Sequence, residues 1–434
     1  MTKIVLIGAG SVSFGTRTLR DLFAARRELE GSTIVLVDIN VEALNLMLVV
    51  ARRLNEAMGQ PFTIEATTDR TEALPGAQFV IISVAVKRNE LWRLDFQIPL
   101  KHGVKQVLGE NGGPGGLFHA LRNIPIILDI CRDIERLCPD ALVLNFTNPE
   151  GRLCLAANRY TDLQVVGLCH GIGMAQAAVG QALGLPADDI DPKAGGLNHF
   201  NWILDLRRKS TGEDLYPAFK QAVAGQNLEE INDHGHRFGV KLSRYLMERF
   251  GYWPLPSDDH VGEYLSYAWE YCGLEGYNFE RADQGAIESR RRLQRWGSGE
   301  APLDELLQPS GERAVPIITG VLGNTHQYEL AVNIPNAGFI ANLPDWVVVE
   351  IPATVDASGV HGLPLGPLPE PIAAMCLIQA TIIDRVVEAG VHGDRNAALE
   401  ALLLDPVVTG ISQAEAILTE LLEVHKDFLP QFNK

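Results

Sequence analysis

No apolar run in this chain reaches about 18 residues, so a membrane-spanning helix is not expected. A basic surplus is also missing: 37 Lys and Arg face 54 Asp and Glu, a formal net charge of -17. Nucleic acid is thereby an unsuitable partner, since phosphate binding needs concentrated positive surface. The six cysteines, Cys131, Cys138, Cys154, Cys169, Cys272 and Cys376, form no CxxC pair and no closely spaced framework. A disulfide scaffold is excluded, and a reduced, cytoplasmic location is expected. The first residues run almost directly into a strand, without the basic segment, apolar core and cleavage site of a signal peptide. Internal repeats, low-complexity tracts and long linkers are absent as well. What is present is ordinary for a globular protein, 434 residues with 46% hydrophobic and 21% charged, enough for two lobes around a shared cleft.

Lys3-Ile4-Val5-Leu6-Ile7 is a continuous apolar run followed at once by Gly8-Ala9-Gly10-Ser11-Val12-Ser13-Phe14-Gly15 and a helical pattern. Strand, glycine turn and helix together suit a pyrophosphate, which the backbone of Gly8, Gly10, Ser11 and Val12 would approach at a helix N-terminus. A second apolar strand, residues 32–37, ends on Asp38, a carboxylate able to accept hydrogen bonds from an adenosine ribose and to favour NAD over NADP. The third glycine of that fingerprint is missing, because Ser13 stands in its place.

Strand-like runs at 77–84 and 141–146, separated by a helical pattern over 124–137, continue the alternation. The expected fold is α/β, a Rossmann-like doubly wound parallel sheet with an interleaved C-terminal α+β lobe, in the manner of lactate and malate dehydrogenases. Residues 1–195 are assigned to the NAD-binding domain and residues 196–434 to a substrate-binding, metal-binding and oligomerisation domain. Ligands of such sheets gather at the strand C-terminal ends, which brings Val84, Val86, Lys87, Asn148, Cys169 and His170 to one place. Residues 109–116, with five glycines, read as a loop that is either a structural turn or a ligand-approach segment.

Two stretches stop a strand-like run on metal-capable side chains: Val165-Val166-Gly167-Leu168-Cys169-His170 and Gly196-Leu197-Asn198-His199. A thiolate and an imidazole suit a borderline divalent transition metal rather than Mg or Ca. Two protein ligands would leave positions open to substrate oxygens and water. The competing reading makes Cys169 a small buried hydrophobe and His199 a satisfied core histidine.

Residues 200–206 alternate as a half-exposed antiparallel strand would. Asp258 and Asp259 precede a helix start, where either could serve as an N-cap. Arg290, Arg291 and Arg292 read as a solvated helix face. Runs at 317–321, 328–336 and 346–352 are of strand type, and 371–425 is helical in period.

With these pieces in place the chain resembles glycoside hydrolase family 4, the NAD- and metal-dependent glycosidases, over nearly its whole length. The resemblance rests on Gly8-Ala9-Gly10-Ser11, Gly113-Pro114-Gly115-Gly116, Thr147-Asn148-Pro149, Cys169-His170-Gly171, Asn198-His199-Phe200, Val332-Asn333-Ile334-Pro335-Asn336 and Asn342-Leu343-Pro344. It implies NAD and a divalent metal, usually Mn, as cofactors, with Cys169 and His199 as metal ligands and Asn148 contacting sugar hydroxyls. Phospho-specific members follow the metal cysteine with Asp-Met-Pro or Asn-Val-Pro. His170-Gly171 looks instead like the branch acting on unphosphorylated α-hexosides and hexuronides.

The implied chemistry departs from two-carboxylate glycosidases. Hydride leaves C3 of the sugar for NAD, the resulting ketone acidifies the C2 proton, a base removes it, and the leaving group departs from C1 before water adds and the ketone is reduced again. Asp259 is the expected base, with Asp258 and Tyr264 behind it. For the acid that protonates the leaving oxygen, Glu110 and His170 stand as alternatives. A uronate, or a sulfonated sugar, would need a cation near C6, for which Lys87, Arg88 and Arg122 are candidates, and an α-galacturonide or α-glucuronide is ranked ahead of a neutral α-hexoside. The competing functions are an NAD-dependent dehydrogenase of sugars or 2-hydroxy acids and a catalytically silent sensor. A homodimer or homotetramer is expected from apolar segments in the C-terminal half.

Overall fold

The computed structural model describes residues 1–12, 14–225 and 240–433. Ser13, singled out above, lies outside the described residues. One twelve-stranded mixed sheet organises the chain, in the order β3-β2-β1-β4-β5-β6-β10-β11-β7-β8-β9, with β12 paired to β11. Its strands are β1 (Lys3–Ile7), β2 (Thr33–Val37), β3 (Thr63–Thr67), β4 (Phe79–Ile82), β5 (Leu142–Asn145), β6 (Val165–Gly167), β7 (Ile190–Leu197), β8 (Phe200–Arg208), β9 (Trp253–Leu255), β10 (Gln327–Pro335), β11 (Val348–Asp356) and β12 (Gly359–Gly362).

From β3 to β6 all neighbours are parallel, the doubly wound arrangement expected from the alternating pattern. Strands β1, β2, β4 and β5 are almost wholly buried, as runs of Ile, Val and Leu covered by helices on both faces must be. The remaining pairs are antiparallel, and two of the seams are narrow: β6 meets β10 only at Gly167–Asn333, and β11 meets β7 only at Glu350–Gly196. The helix Gly113–Leu137 and the C-terminal helix Glu370–His392 pack together on the sheet, with Gly390 against Ile124.

Several expectations need correction. Thr63–Thr67 is a strand the pattern did not reveal, because it is a partly exposed edge strand with a mostly polar sequence. Residues 317–321 belong to the helix Ala314–Gly323, not to a strand; a short, mostly buried apolar run does not separate the two by periodicity. The glycine-rich stretch is loop only to Gly112, after which Gly113 and Pro114 open a 25-residue helix. Strand β8 is antiparallel as expected, yet its first four residues are buried on both faces. The expected strands at 328–336 and 346–352 correspond to β10 and β11, and residues 371–425 are helical over Glu370–His392, Arg395–Leu404 and Ile411–Val424.

Candidate active site

A single cavity of about 2420 Å³ opens at the C-terminal ends of β1, β4, β5 and β6. It exceeds the ~300–1,000 Å³ that suits one small ligand, and leaves room for a dinucleotide beside a second molecule. Gly8, Gly10, Ser11, Val12, Asp38, Val84 and Val86 line one part of it; Lys87, Arg88, Glu110, Asn148, Cys169, His170 and His199 line another.

At the cofactor end, Gly8 has φ +89°, and a Cβ there would stand 2.0 Å from the Ser83 carbonyl oxygen. Only glycine lets this turn cross the end of β4. The third glycine role is filled by Gly15, two positions later than Ser13: a Cβ at Gly15 would stand 2.2 Å from the Ala9 carbonyl oxygen, so the helix Phe14–Ala24 packs directly on the turn. Asp38 accepts from the backbone N–H of Gly10 and of Asn40, both at 2.8 Å, and so ties the turn to β2. Its carboxylate retains acceptor capacity for a ribose.

At the other end, Cys169 follows β6, and His199 is the second residue of the two-residue turn joining β7 to β8, held at φ +59°. A left-handed histidine is a strained choice that the hairpin must over-determine. It does so through Glu350, whose oxygens accept from Asn198 at 2.9 Å, Asn201 at 2.7 Å and Asn333 at 3.5 Å. Nδ1 of His199 is buried and has no hydrogen-bond partner among the described residues. Burial and the neighbouring His260 push the His199 imidazole well below its ordinary pKa. Burial, with Glu350 and Glu150 close by, pushes the Cys169 thiol well up. A neutral imidazole without a partner and a thiol among carboxyls fit a divalent cation, which would replace the thiol proton.

Sequence reasoning passed over His260 and Glu263. The His260 ring lies 4.4 Å from that of His199, and its Nδ1 lies 3.4 Å from Oε1 of Glu263. Ligand atoms of His199, His260 and Glu263 all fall within 4.8 Å of one another. Glu263 is otherwise engaged, however: its Oε2 accepts the backbone N–H groups of Glu110, Asn111 and Gly112 at 2.6, 2.7 and 3.0 Å. It therefore anchors the loop and orients His260. Burial lowers the His260 pKa, but Asp259, Glu263 and Glu110 outweigh it and raise the group to about 9. The spacing of His260 and Glu263, three residues apart over the last turn of the helix Asp258–Gly262 and its C-cap, was the available signal.

Glu110 is ion-paired with Arg88. Burial raises its carboxyl, but Arg88, with His260, His119 and His199, holds it well below the usual carboxylate range. His170 stands at the start of the helix Gly171–Leu183, with Nδ1 4.0 Å from Oε1 of Glu312.

Asp258, Asp259 and Tyr264 do not line the cavity. Ser257, not either aspartate, is the N-cap residue of the helix Asp258–Gly262. Asp258 is buried and accepts from the backbone N–H groups of Leu242 and Ser243, capping the preceding helix Lys241–Phe250. Asp259 accepts from Ser257 Oγ at 2.6 Å and from the His260 N–H at 2.9 Å, and its charge acts on both His199 and His260. Tyr264 is buried with its hydroxyl 3.4 Å from the Asn198 carbonyl oxygen. Arg122 forms a buried pair with Asp95 and is not on the cavity wall; Arg290 and Arg292 are.

Two family models match this chain: "Family 4 glycosyl hydrolase" over residues 3–185 and "Family 4 glycosyl hydrolase C-terminal domain" over residues 194–408. The chain is 40% identical over 442 residues to an alpha-glucosidase of Erwinia rhapontici, covering 94% of each. It is 30% identical over 447 residues to an alpha-galactosidase of Bacillus subtilis, covering 100% of each. In fold it is similar to a 6-phospho-alpha-glucosidase from gut microorganisms solved in complex with NAD and Mn2+, with a TM-score of 0.88, 22% identity and 99% of each chain covered.

Proposed function

Since the chain belongs to family 4 of the glycosyl hydrolases, we propose that it cleaves an unphosphorylated α-hexoside or α-hexuronide by transient oxidation of the sugar ring, with NAD and a divalent metal, Mn foremost, as cofactors. One observation carries the reading: the glycine turn behind Gly8 and the Cys169–His199 pair open into the same cavity. When bound, NAD would supply a reversible hydride acceptor and the metal would stabilise negative charge on adjacent sugar oxygens. In this reading residues 1–195 hold the cofactor, and residues 196–434 bring His199 and Asp259 to the substrate.

Asn148 holds sugar hydroxyls at the end of β5. Asp259, steadied by Ser257 and the His260 N–H just behind the cavity wall, takes the C2 proton through one intervening water once C3 is a ketone, and a proton exchanged with solvent is delivered to C2 after water has added to C1. Glu110 is a poor proton donor while Arg88 keeps it ionised, so His170 protonates the departing oxygen. Asp258 is tied to the helix it caps, and Tyr264 remains the second candidate for the base.

Of the three cations named for a uronate, Arg122 is committed to Asp95 and Arg88 to Glu110, which leaves Lys87 with Glu90 at the mouth. That pairing, together with the alpha-glucosidase relative, favours an α-glucoside as first substrate, with α-galacturonide and α-glucuronide next. The experiment is a panel of p-nitrophenyl α-hexosides and hexuronides with Mn and catalytic NAD. Aglycone release without NADH build-up is expected; stoichiometric NADH would instead mean a sugar or 2-hydroxy-acid dehydrogenase. Substrate deuterated at C2 must lose label to solvent during cleavage, and full retention would refute the role given to Asp259.

No helix among the described residues is long and apolar enough to cross a membrane. We take the working form to be a cytoplasmic homodimer or homotetramer, consistent with six cysteines outside any disulfide and with Leu377 and Ile378 exposed side by side on the helix Glu370–His392.

A further inference from the structure

We propose that the metal is held by two imidazoles rather than one, with His260 as a protein ligand beside His199 and with Glu263 as the carboxylate that orients it. This rests on the reading of the site as a metal centre, and it adds a residue outside the Cys169–His199 pair.

Four observations converge. His199 and His260 come from different elements, the β7–β8 turn and the helix Asp258–Gly262, yet their rings meet at 4.4 Å inside one cavity. His199 is 7% exposed, and its Nδ1 has no hydrogen-bond partner among the described residues, although a buried imidazole nitrogen ordinarily finds one. The His260 ring is oriented through Nδ1 by a carboxylate, Glu263, which is the arrangement that fixes tautomer and direction in metal-ligating histidines and makes Nε2 the ligand nitrogen. Glu263 itself cannot turn to the cation without releasing three backbone N–H groups of the loop 110–112, so it serves as the orienting group rather than as a ligand.

The chemistry of the set matters too. Two imidazoles, that of His260 giving up its proton as the cation binds, and a thiolate would form a borderline-soft donor group that selects Mn, Fe, Co, Ni or Zn over Mg and Ca. Cys169 stands outside the 4.8 Å group of His199, His260 and Glu263, and with it as a third ligand the set would still leave positions for two sugar oxygens.

The test measures metal binding itself, on the full chain without substrate. Mn2+ affinity by equilibrium dialysis is compared in the wild type, Cys169→Ser, His199→Ala, His260→Gln and Glu263→Gln, with NAD affinity as the check on folding. His260→Gln is expected to weaken Mn2+ binding at least tenfold with NAD affinity unchanged, and Glu263→Gln to weaken it about tenfold through the ring it orients. Pulsed EPR of the Mn2+-loaded wild type should detect two histidine nitrogens, a readout that needs no variant and stands even where a substitution impairs folding. One nitrogen, or His260→Gln binding Mn2+ as the wild type does while His199→Ala loses it, would overturn the proposal and leave the Cys169–His199 reading intact. Unchanged Mn2+ binding in Cys169→Ser and His199→Ala would overturn that underlying reading instead.

Discussion

The Glu350 carboxylate accepts a hydrogen bond from the Asn198 side chain at 2.9 Å, and so grips the residue that immediately precedes His199 in its turn. Glu350 also provides the one backbone pairing between β11 and β7. The strained histidine is thus held from the neighbouring strand β11. Glu350→Ala would leave the Asn198 and Asn201 amides buried without an acceptor, at about 1–3 kcal/mol each. We expect a fall in thermal midpoint together with weaker Mn2+ binding, read by calorimetry and equilibrium dialysis. A stability loss with unaltered metal affinity would show that Glu350 supports the sheet but not the site.

The choice between His170 and Glu110 as proton donor is open to a leaving-group series. An acid contributes on the order of 10²–10⁴-fold where the departing oxygen is basic, and little where it leaves unaided. His170→Asn should therefore lose far more activity on methyl α-hexosides than on 2,4-dinitrophenyl α-hexosides. Glu110→Gln should show equal losses on both, because Arg88 keeps that carboxyl ionised. The reverse pattern would transfer the role to Glu110.

Gly15 packs against the Ala9 carbonyl oxygen and the Met47 side chain, so an added methyl group must displace the helix from the turn. Gly15→Ala is expected to cost roughly 1–3 kcal/mol of stability and to weaken NAD binding, followed by fluorescence titration. Metal affinity should not change, since the cation site lies at the other end of the cavity.

Burial raises the Asp258 carboxyl to about 6, despite hydrogen bonds from Ser243 and Leu242 that lower it. The native state then holds a proton that the unfolded chain has released, so stability falls as pH rises from about 4 through 6. The contribution present below pH 4 and lost above 6 is about 3 kcal/mol. Thermal midpoints of the wild type and Asp258→Asn between pH 4 and 7 should differ in slope, the wild type carrying a downward component that the variant lacks. Parallel profiles would remove Asp258 from that balance.

The residues themselves determined the parallel half of the sheet. An uninterrupted apolar run, two close glycines and a terminal carboxylate admit few other folds, and the motifs Thr147-Asn148-Pro149 and Cys169-His170-Gly171 follow strands whose ends must converge. The family was legible for the same reason, because spaced motifs survive in one dimension. Tertiary structure alone decided which carboxylates are spent and which are available: Asp258 and Asp259 are neighbours in the chain, yet one caps a helix while the other acts on the histidines. It also made Gly15 the third glycine and brought His260 against His199 across sixty residues of chain. Strand ends are set by local pattern, but a side chain's partner is set by packing between distant segments, and sequence spacing carries no record of that distance.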